Sequence, residues 1–179
     1  FDHVDVINGQ GTAGYEILKE CSIKNINPDL ILCCCGGGGL IAGVSTAVKE
    51  KIPRVPIYAV EPENFNDTKL SLDKGEITEV DINKKSICDA LLANKPGELT
   101  FSINRENLSG ALLVSDLEAL KAMNYAFNYL KIVLEPGGAV ALASALFNKI
   151  DITNKNVIVV ASGGNVDAEI FQKALNLSI

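Results

Sequence analysis

The sequence predicts an α/β fold: an open, mainly parallel sheet with helices on both faces. Three apolar runs carry that prediction, at residues 30–35, 55–60 and 156–161, and none of them alternates polar with apolar positions. A strand covered by helices on both sides is buried on both faces, so it reads as a continuous apolar run. Each run is followed by a segment with helical spacing, and strands alternating with helices build parallel sheets through crossovers.

In chain order, Asn8-Gly9-Gln10-Gly11-Thr12 is a turn cluster, with Thr12 the predicted N-cap of a helix running to about Asn25. In that helix Ile17 and Leu18 face inward, while Glu16, Lys19 and Glu20 face solvent. Asn27-Pro28-Asp29 ends the segment and leads into the first strand. A helix from Leu40 ends near Lys51, and Ile52-Pro53 turns the chain into the strand Val55 to Val60. Residues 61–67 then open a helix through about Asp73. Residues 75–109 read as loop-rich, with a short helical piece around Ser86 to Ala93. Gly110 to Val114 is a short strand. Ser115-Asp116-Leu117-Glu118 is a capping box, and a helix with apolar positions at Leu117, Leu120, Met123 and Phe127 follows. Pro136-Gly137-Gly138 separates it from an alanine-rich helix, Ala139 to Phe147. The last strand, Asn156 to Ala161, runs into Ser162-Gly163-Gly164-Asn165, and a helix starts near Asp167.

With 179 residues, 47% of them apolar and 21% charged, the chain has the length of one domain, with or without an appendage, and the make-up of a soluble globular protein. A net charge of −6 argues against nucleic acid or an anionic membrane as partner. No apolar run reaches the length of a membrane span. The opening Phe1-Asp2-His3-Val4-Asp5 has no initiator Met and no signal-peptide core, so a fragment is expected. His3 is assigned no role. Cys33, Cys34 and Cys35 are adjacent in a strand, where successive side chains face opposite ways, so they cannot easily share a metal. Cys21 and Cys88 lack a CxxC partner. All five cysteines read as small buried hydrophobes in a reducing cytoplasm.

The most informative stretch is Leu30-Ile31-Leu32-Cys33-Cys34-Cys35-Gly36-Gly37-Gly38-Gly39-Leu40. Strand, glycine loop and helix aim unpaired backbone N–H groups at an anion. The glycines remove every Cβ that would hold a phosphate away, and the helix N-terminus adds partial positive charge. Four glycines cost roughly 1 kcal/mol each against alanine in regular structure, which a plain βα turn rarely carries. A nucleoside-triphosphate loop would need Lys-Ser/Thr after the glycines, where Leu40-Ile41 stands. The strict G-x-G-x-x-G pattern also fails, and only its relaxed form (Gly37, Gly39, Ala42) is met.

A second candidate is Glu61-Pro62-Glu63-Asn64-Phe65-Asn66-Asp67. Acidic and amide side chains at that point cap a helix. Hard oxygen ligands at a strand end also suit Mg²⁺, Mn²⁺ or Ca²⁺. Spacing leaves both readings open. Gly36–Gly39, Glu61 and Ser162 all fall at the carboxyl ends of strands, where ligands of open α/β sheets bind, so they are expected on one rim.

Gly36-Gly37-Gly38-Gly39-Leu40, Glu61-Pro62-Glu63, Pro96-Gly97-Glu98-Leu99-Thr100-Phe101, Glu135-Pro136-Gly137-Gly138-Ala139 and Ser162-Gly163-Gly164-Asn165-Val166-Asp167 occur in that order. With Ile7-Asn8-Gly9-Gln10-Gly11-Thr12, the chain resembles the serine/threonine dehydratase and serine racemase family of fold-type-II pyridoxal-phosphate enzymes over nearly its whole length. The 96–101 passage is most similar to the bacterial dehydratase branch. The resemblance implies that Gly36 to Gly39 and the Leu40 amide hold the cofactor phosphate. It implies that Ser162 meets the pyridine nitrogen, where a hydroxyl can donate to the neutral ring. Glu61, the Phe65 carbonyl and Asp67 match that family's divalent-cation site, for Mg²⁺ or Mn²⁺.

By the same resemblance the complete protein is a cytoplasmic ammonia-lyase of amino-acid metabolism and a homodimer. It eliminates water from L-threonine or L-serine to give a 2-oxo acid and ammonia. Serine racemisation and 3-hydroxyaspartate dehydration use the same cofactor frame, and a non-catalytic phosphate-binding protein is the reading of another class. The family's Schiff-base lysine lies in an N-terminal Ser-x-Lys-x-Arg-Gly-like segment that nothing here matches. The asparagine that meets the phenolic oxygen and the small domain are also unmatched. Residues 1–179 are therefore expected to be the C-terminal part of the large domain, without a regulatory domain, without a catalytic lysine and inactive alone.

Overall fold

The computed structural model describes residues 1–178. Strands β1 (Leu30–Cys34), β2 (Ile57–Pro62), β3 (Gly110–Val114) and β4 (Val157–Val160) form one sheet in the order β3-β2-β1-β4, every pairing parallel. The expected architecture is the observed one. Central β1 is buried along its whole length, and its Leu32 pairs with Tyr58 on one side and Val159 on the other. Alternation divides the core between two faces. Leu30, Leu32 and Cys34 join Leu120, Met123 and Val140 from α5 (Asp116–Tyr125) and α6 (Pro136–Leu146), and α7 (Ala168–Leu175) adds Ala174. Ile31, Cys33 and Cys35 pack with Ile41, Val44 and Val48 of α2 (Gly39–Lys51), with Ile17 of α1 (Val4–Ile23) behind. All five cysteines are free and buried, as expected. No helix among the described residues is long and apolar enough to cross a membrane.

The structure corrects several boundaries. Residues 8–12 are not a turn and Thr12 is not a cap. They lie inside α1, which is capped by His3, whose ring Nδ1 accepts the Asp5 amide at 3.2 Å. Close contact between α1 and α2 is served by two other glycines, Gly14 and Gly43. A Cβ on Gly14 would stand 2.7 Å from the Val44 carbonyl oxygen, and one on Gly43 would stand 2.8 Å from the Gln10 carbonyl carbon. Backbones can approach that closely only without side chains, and the packing gain overrides glycine's poor helix propensity.

The passage read as loop contains α4 (Glu98–Asn107), with Pro96-Gly97 at its head, while Ser86 to Ala93 shrinks to one 3₁₀ turn, Asp89–Leu91. The Asp2 carboxylate accepts the Thr100 amide at 2.9 Å, a cap supplied from far away in sequence. Pro136 occupies the first turn of α6, where its missing N–H costs nothing, so Pro136-Gly137-Gly138 begins that helix instead of preceding it. β2 runs two residues later than expected, placing Glu61 inside the strand. The Ser115/Glu118 capping box is present, with Glu118 Oε2 accepting the Ser115 amide at 2.7 Å. Leu120 and Met123 are buried as expected, but Leu117 and Phe127 are exposed. Phe127 lies beyond α5 in a π-helical turn (Ala126–Leu130) and meets Phe171 of α7 edge-on, with centroids 5.4 Å apart.

Candidate functional site

The glycine loop leaves β1 with one last sheet bond, from the Cys35 amide to the Val60 carbonyl at 3.0 Å. Gly38, at φ 95°, turns the chain into α2, a backbone conformation that side chains with a Cβ rarely adopt. Ala42 makes the first helical bond, to the Gly38 carbonyl at 2.9 Å. Among the described residues, the amides of Gly36 through Ile41 donate to no protein acceptor. The carbonyls of the same loop are tied down. Thr100 Oγ1 donates to the Gly37 carbonyl at 2.8 Å, and Asn104 Nδ2 donates to that of Gly38 at 3.4 Å. Because N–H and C=O point to opposite sides of a planar peptide, α4 holds the carbonyls behind the loop and leaves the amides in front. Unpaired donors at a helix N-terminus suit an anion.

The loop, Leu40, Cys34, Leu91, Phe1 and Ser162 line one cleft of about 240 Å³. No lysine lines it among the described residues. Ser162 stands two residues beyond β4, exposed at the same cleft, and its Oγ accepts the Cys34 thiol at 3.1 Å. The head of α6 pins the chain beside it: the Glu135 amide donates to the Gly163 carbonyl at 3.0 Å, and a Cβ on Gly138 would stand 2.8 Å from the Gly163 nitrogen. Contact with Cys33 first, then with Ser162, holds the Cys34 thiol below its ordinary range against burial. Burial, then the charge of Glu61, pushes Cys35 well above it. A larger groove, about 450 Å³, lies between α1 and β4, but its lining is apolar apart from Glu16, Glu20 and Lys24 at the surface, and no reacting groups converge there.

Glu61 does not share the cleft. Its side chain turns beneath α3 (Asp67–Lys74), where Oε1 accepts the Thr68 amide and Oε2 the Lys69 amide, both at 2.8 Å. The helix-capping reading is thus realised, but from the preceding strand. Beside it, both carboxylate oxygens of Asp67 are buried without a hydrogen-bond partner, and the Phe65 carbonyl accepts none among the described residues. Burial, then the neighbouring Asp67 charge, raises Glu61 to about 8, and burial raises Asp67 to about 7. Two buried carboxylates with unused acceptor sites fit a hard cation. Among the described residues no three His, Cys, Asp or Glu side chains gather to hold one, so a backbone carbonyl and water would have to complete the shell. Cys35 links the two places, its Sγ lying 3.3 Å from Thr68 Oγ1.

Thr100, Asn104 and Cys34 are not legible as site residues in the sequence alone. The first two sit one turn apart on a helix that the sequence disguises as loop, and a Thr-x-x-x-Asn spacing after Pro-Gly is their only local signal.

Comparison with known proteins follows the same outline. The chain is 39% identical over 167 residues to the L-threo-3-hydroxyaspartate ammonia-lyase of Saccharomyces cerevisiae, covering 93% of this chain and 50% of that protein. It is 35% identical to the L-threonine ammonia-lyase of Thermotoga maritima, covering 98% of this chain and 42% of the relative. The crystal structure of a threonine deaminase from T.th. superposes with a TM-score of 0.88 at 39% identity, over 93% of this chain and 61% of that one. That of the serine racemase from Dictyostelium discoideum superposes with a TM-score of 0.82 at 38% identity, over 93% and 52%. The chain spans about half the length of the curated relatives it matches. A family model described as pyridoxal-phosphate dependent enzyme matches residues 1–163, and the chain belongs to that family.

Proposed function

We propose that this chain is the C-terminal part of the large domain of a pyridoxal-phosphate-dependent ammonia-lyase, one that dehydrates a small hydroxy amino acid to a 2-oxo acid and ammonia. The observation that carries the proposal is the row of unpaired amides from Gly36 to Ile41, in a loop that lines one cleft together with Ser162. When bound, the cofactor supplies an electron sink for charge developing at the substrate's α-carbon. The loop amides and the N-terminus of α2 grip its phosphate. Thr100 and Asn104 keep those amides aimed by holding the carbonyls behind them. Ser162 Oγ donates to the ring nitrogen, which leaves the ring neutral and the sink moderate. Leu91 and Leu40 shield the cleft walls from water. Glu61, Asp67 and the Phe65 carbonyl take Mg²⁺ or Mn²⁺ under α3, supported by the two orphaned Asp67 oxygens. The five free buried thiols support a cytoplasmic location, and a homodimer belongs to the same reading.

Equilibrium titration tests the cofactor claim. Pyridoxal phosphate should bind at least tenfold more tightly than pyridoxal, which lacks the phosphate. Borohydride reduction of the loaded 179-residue chain should label no lysine stoichiometrically, since none lines the cleft. In the complete protein, 2-oxo acid release should be compared for L-threonine, L-serine and L-threo-3-hydroxyaspartate, with D-serine formation followed in parallel. A protein that binds pyridoxal and its phosphate alike defeats the proposal.

A further inference from the structure

We infer that Cys34 is a positioning residue for Ser162: its thiol proton occupies one acceptor lobe of the Ser162 hydroxyl and so directs the hydroxyl's own proton toward the ring nitrogen. The inference rests on the reading above that Ser162 meets that nitrogen. A serine hydroxyl has one proton to give and two lone pairs that accept, and its proton rotates among three staggered positions. If Ser162 Oγ were unpartnered, that proton would be shared between cleft and solvent.

The structure supplies the constraint. Cys34 is the last residue of β1 and lies on the α5/α6 face of the sheet with Leu30 and Leu32. It is 4% exposed, yet it borders the cleft. Its Sγ donates to Ser162 Oγ at 3.1 Å, and among the described residues this is the only hydrogen bond that Ser162 Oγ makes. Both ends of the contact are held. β1 is paired on both sides, and the chain after Ser162 is pinned through the Glu135 amide and the Gly163 carbonyl. With the thiol behind it, the hydroxyl has its free proton on the cleft side.

A comparison of two cofactors separates positioning from packing. Pyridoxal phosphate and its 1-deaza analogue, in which C–H replaces the ring nitrogen, are titrated into wild-type protein and into Cys34→Ala, Cys34→Val and Cys34→Ser. The readout is the ratio of the two dissociation constants. Wild type should prefer the true cofactor by roughly five- to tenfold, the worth of one ordinary hydrogen bond. Ser162→Ala should abolish the preference. Cys34→Ala and Cys34→Val, which lack a donor, should reduce it to about twofold, and Cys34→Ser should retain it. A packing role for Cys34 weakens both ligands in parallel and leaves the ratio untouched. If either the alanine or the valine variant folds by circular dichroism and keeps the full wild-type ratio, the positioning role is wrong. If wild type itself binds both ligands alike, or neither, the Ser162 reading fails first and takes this inference with it.

Discussion

The glycine loop and the Glu61–Asp67 pair lie at the same end of the sheet, at the ends of neighbouring strands, and are electrical opposites. The loop has donors without acceptors: the amides of Gly36 through Ile41 are unpaired at the head of α2. The pair has acceptors in excess of donors: Glu61 takes the Thr68 and Lys69 amides, one on each oxygen, while both buried Asp67 oxygens are orphaned. The loop is open to a cleft of about 240 Å³, whereas Glu61 and Asp67 are fully enclosed. Backbone donors carry only partial charge, so water can solvate them at modest cost until an anion arrives. Buried carboxylates have no such recourse and instead hold a proton or a cation. One place is ready for its ligand, and the other is costly without one.

The largest effect should follow from filling the loop. Gly37→Val or Gly38→Val should weaken pyridoxal phosphate binding by more than a hundredfold: a Cβ at 37 runs into the Phe1 ring, and one at 38, where the backbone is left-handed, runs into Asn104 and Thr100, so the loop must shift and its amides lose their aim. Circular dichroism should still show a folded chain. Any stabilisation by Mg²⁺ should persist, since the pair is built from other elements. Unchanged cofactor affinity in both variants would break the assignment of the loop.

The pair should respond next. Mg²⁺ or Mn²⁺ should raise the melting temperature by several degrees, because only the folded chain assembles the site. Glu61→Ala should erase that rise, and a rise that survives places the ion elsewhere. Asp67→Asn should instead stabilise the metal-free protein above neutral pH, by removing a charge that burial disfavours. The pH dependence has a fixed sign. Unfolded carboxylates titrate near 4, while Glu61 and Asp67 reach about 8 and about 7 in the fold. In that interval the folded pair therefore binds more protons than the unfolded one, and the pair's contribution to stability is fully present below about pH 4 and is lost as pH rises to about 8. With a chelator present, the melting temperature should decline across this window more steeply than in Asp67→Asn, and saturating Mg²⁺ should flatten it. A metal-free profile identical to that of Asp67→Asn would remove the claim.

The same contrast explains what is legible in the sequence. Strands β1 and β4 and the loop between β1 and α2 are written locally, as apolar runs and consecutive glycines. The Ser115 capping box is local too. What escapes a local reading depends on residues far apart in the chain. Gly9 and Gly11 look locally like turn formers yet lie inside α1, and only the contact between α1 and α2 shows why Gly14 and Gly43 carry no side chain. Helix α4 carries few apolar residues and takes its cap from Asp2, nearly a hundred positions away. Glu61 does stand at a strand end, but its side chain turns under α3 instead of onto the rim with Ser162, because the Thr68 and Lys69 amides need an acceptor there. Strand ends therefore predict which residues gather. They do not predict which way each side chain turns.

The smallest effect tests how the loop is held. Thr100 Oγ1 bonds the Gly37 carbonyl at 2.8 Å, and Thr100 is fully buried. Thr100→Val keeps the shape and removes the donor, leaving a carbonyl whose remaining partner is the Gly97 amide at 3.4 Å. One neutral hydrogen bond is worth about 1 kcal/mol net, and a weakened acceptor in a buried place costs a similar amount. The fold, anchored by the sheet, should lose only a few degrees in melting temperature. Cofactor affinity should fall by roughly five- to tenfold, because the Gly37 peptide can now rotate and its neighbour's amide spends less time facing the cleft. Orthophosphate, which probes the amides alone, should weaken by the same factor as pyridoxal phosphate. The melting rise with Mg²⁺ should be unchanged, since no bond joins Thr100 to Glu61 or Asp67 among the described residues. If Thr100→Val lowers stability without lowering phosphate affinity, α4 supports the fold and not the aim of the loop. Equal loss for orthophosphate and cofactor, with the cation response intact, locates the effect in the backbone amides.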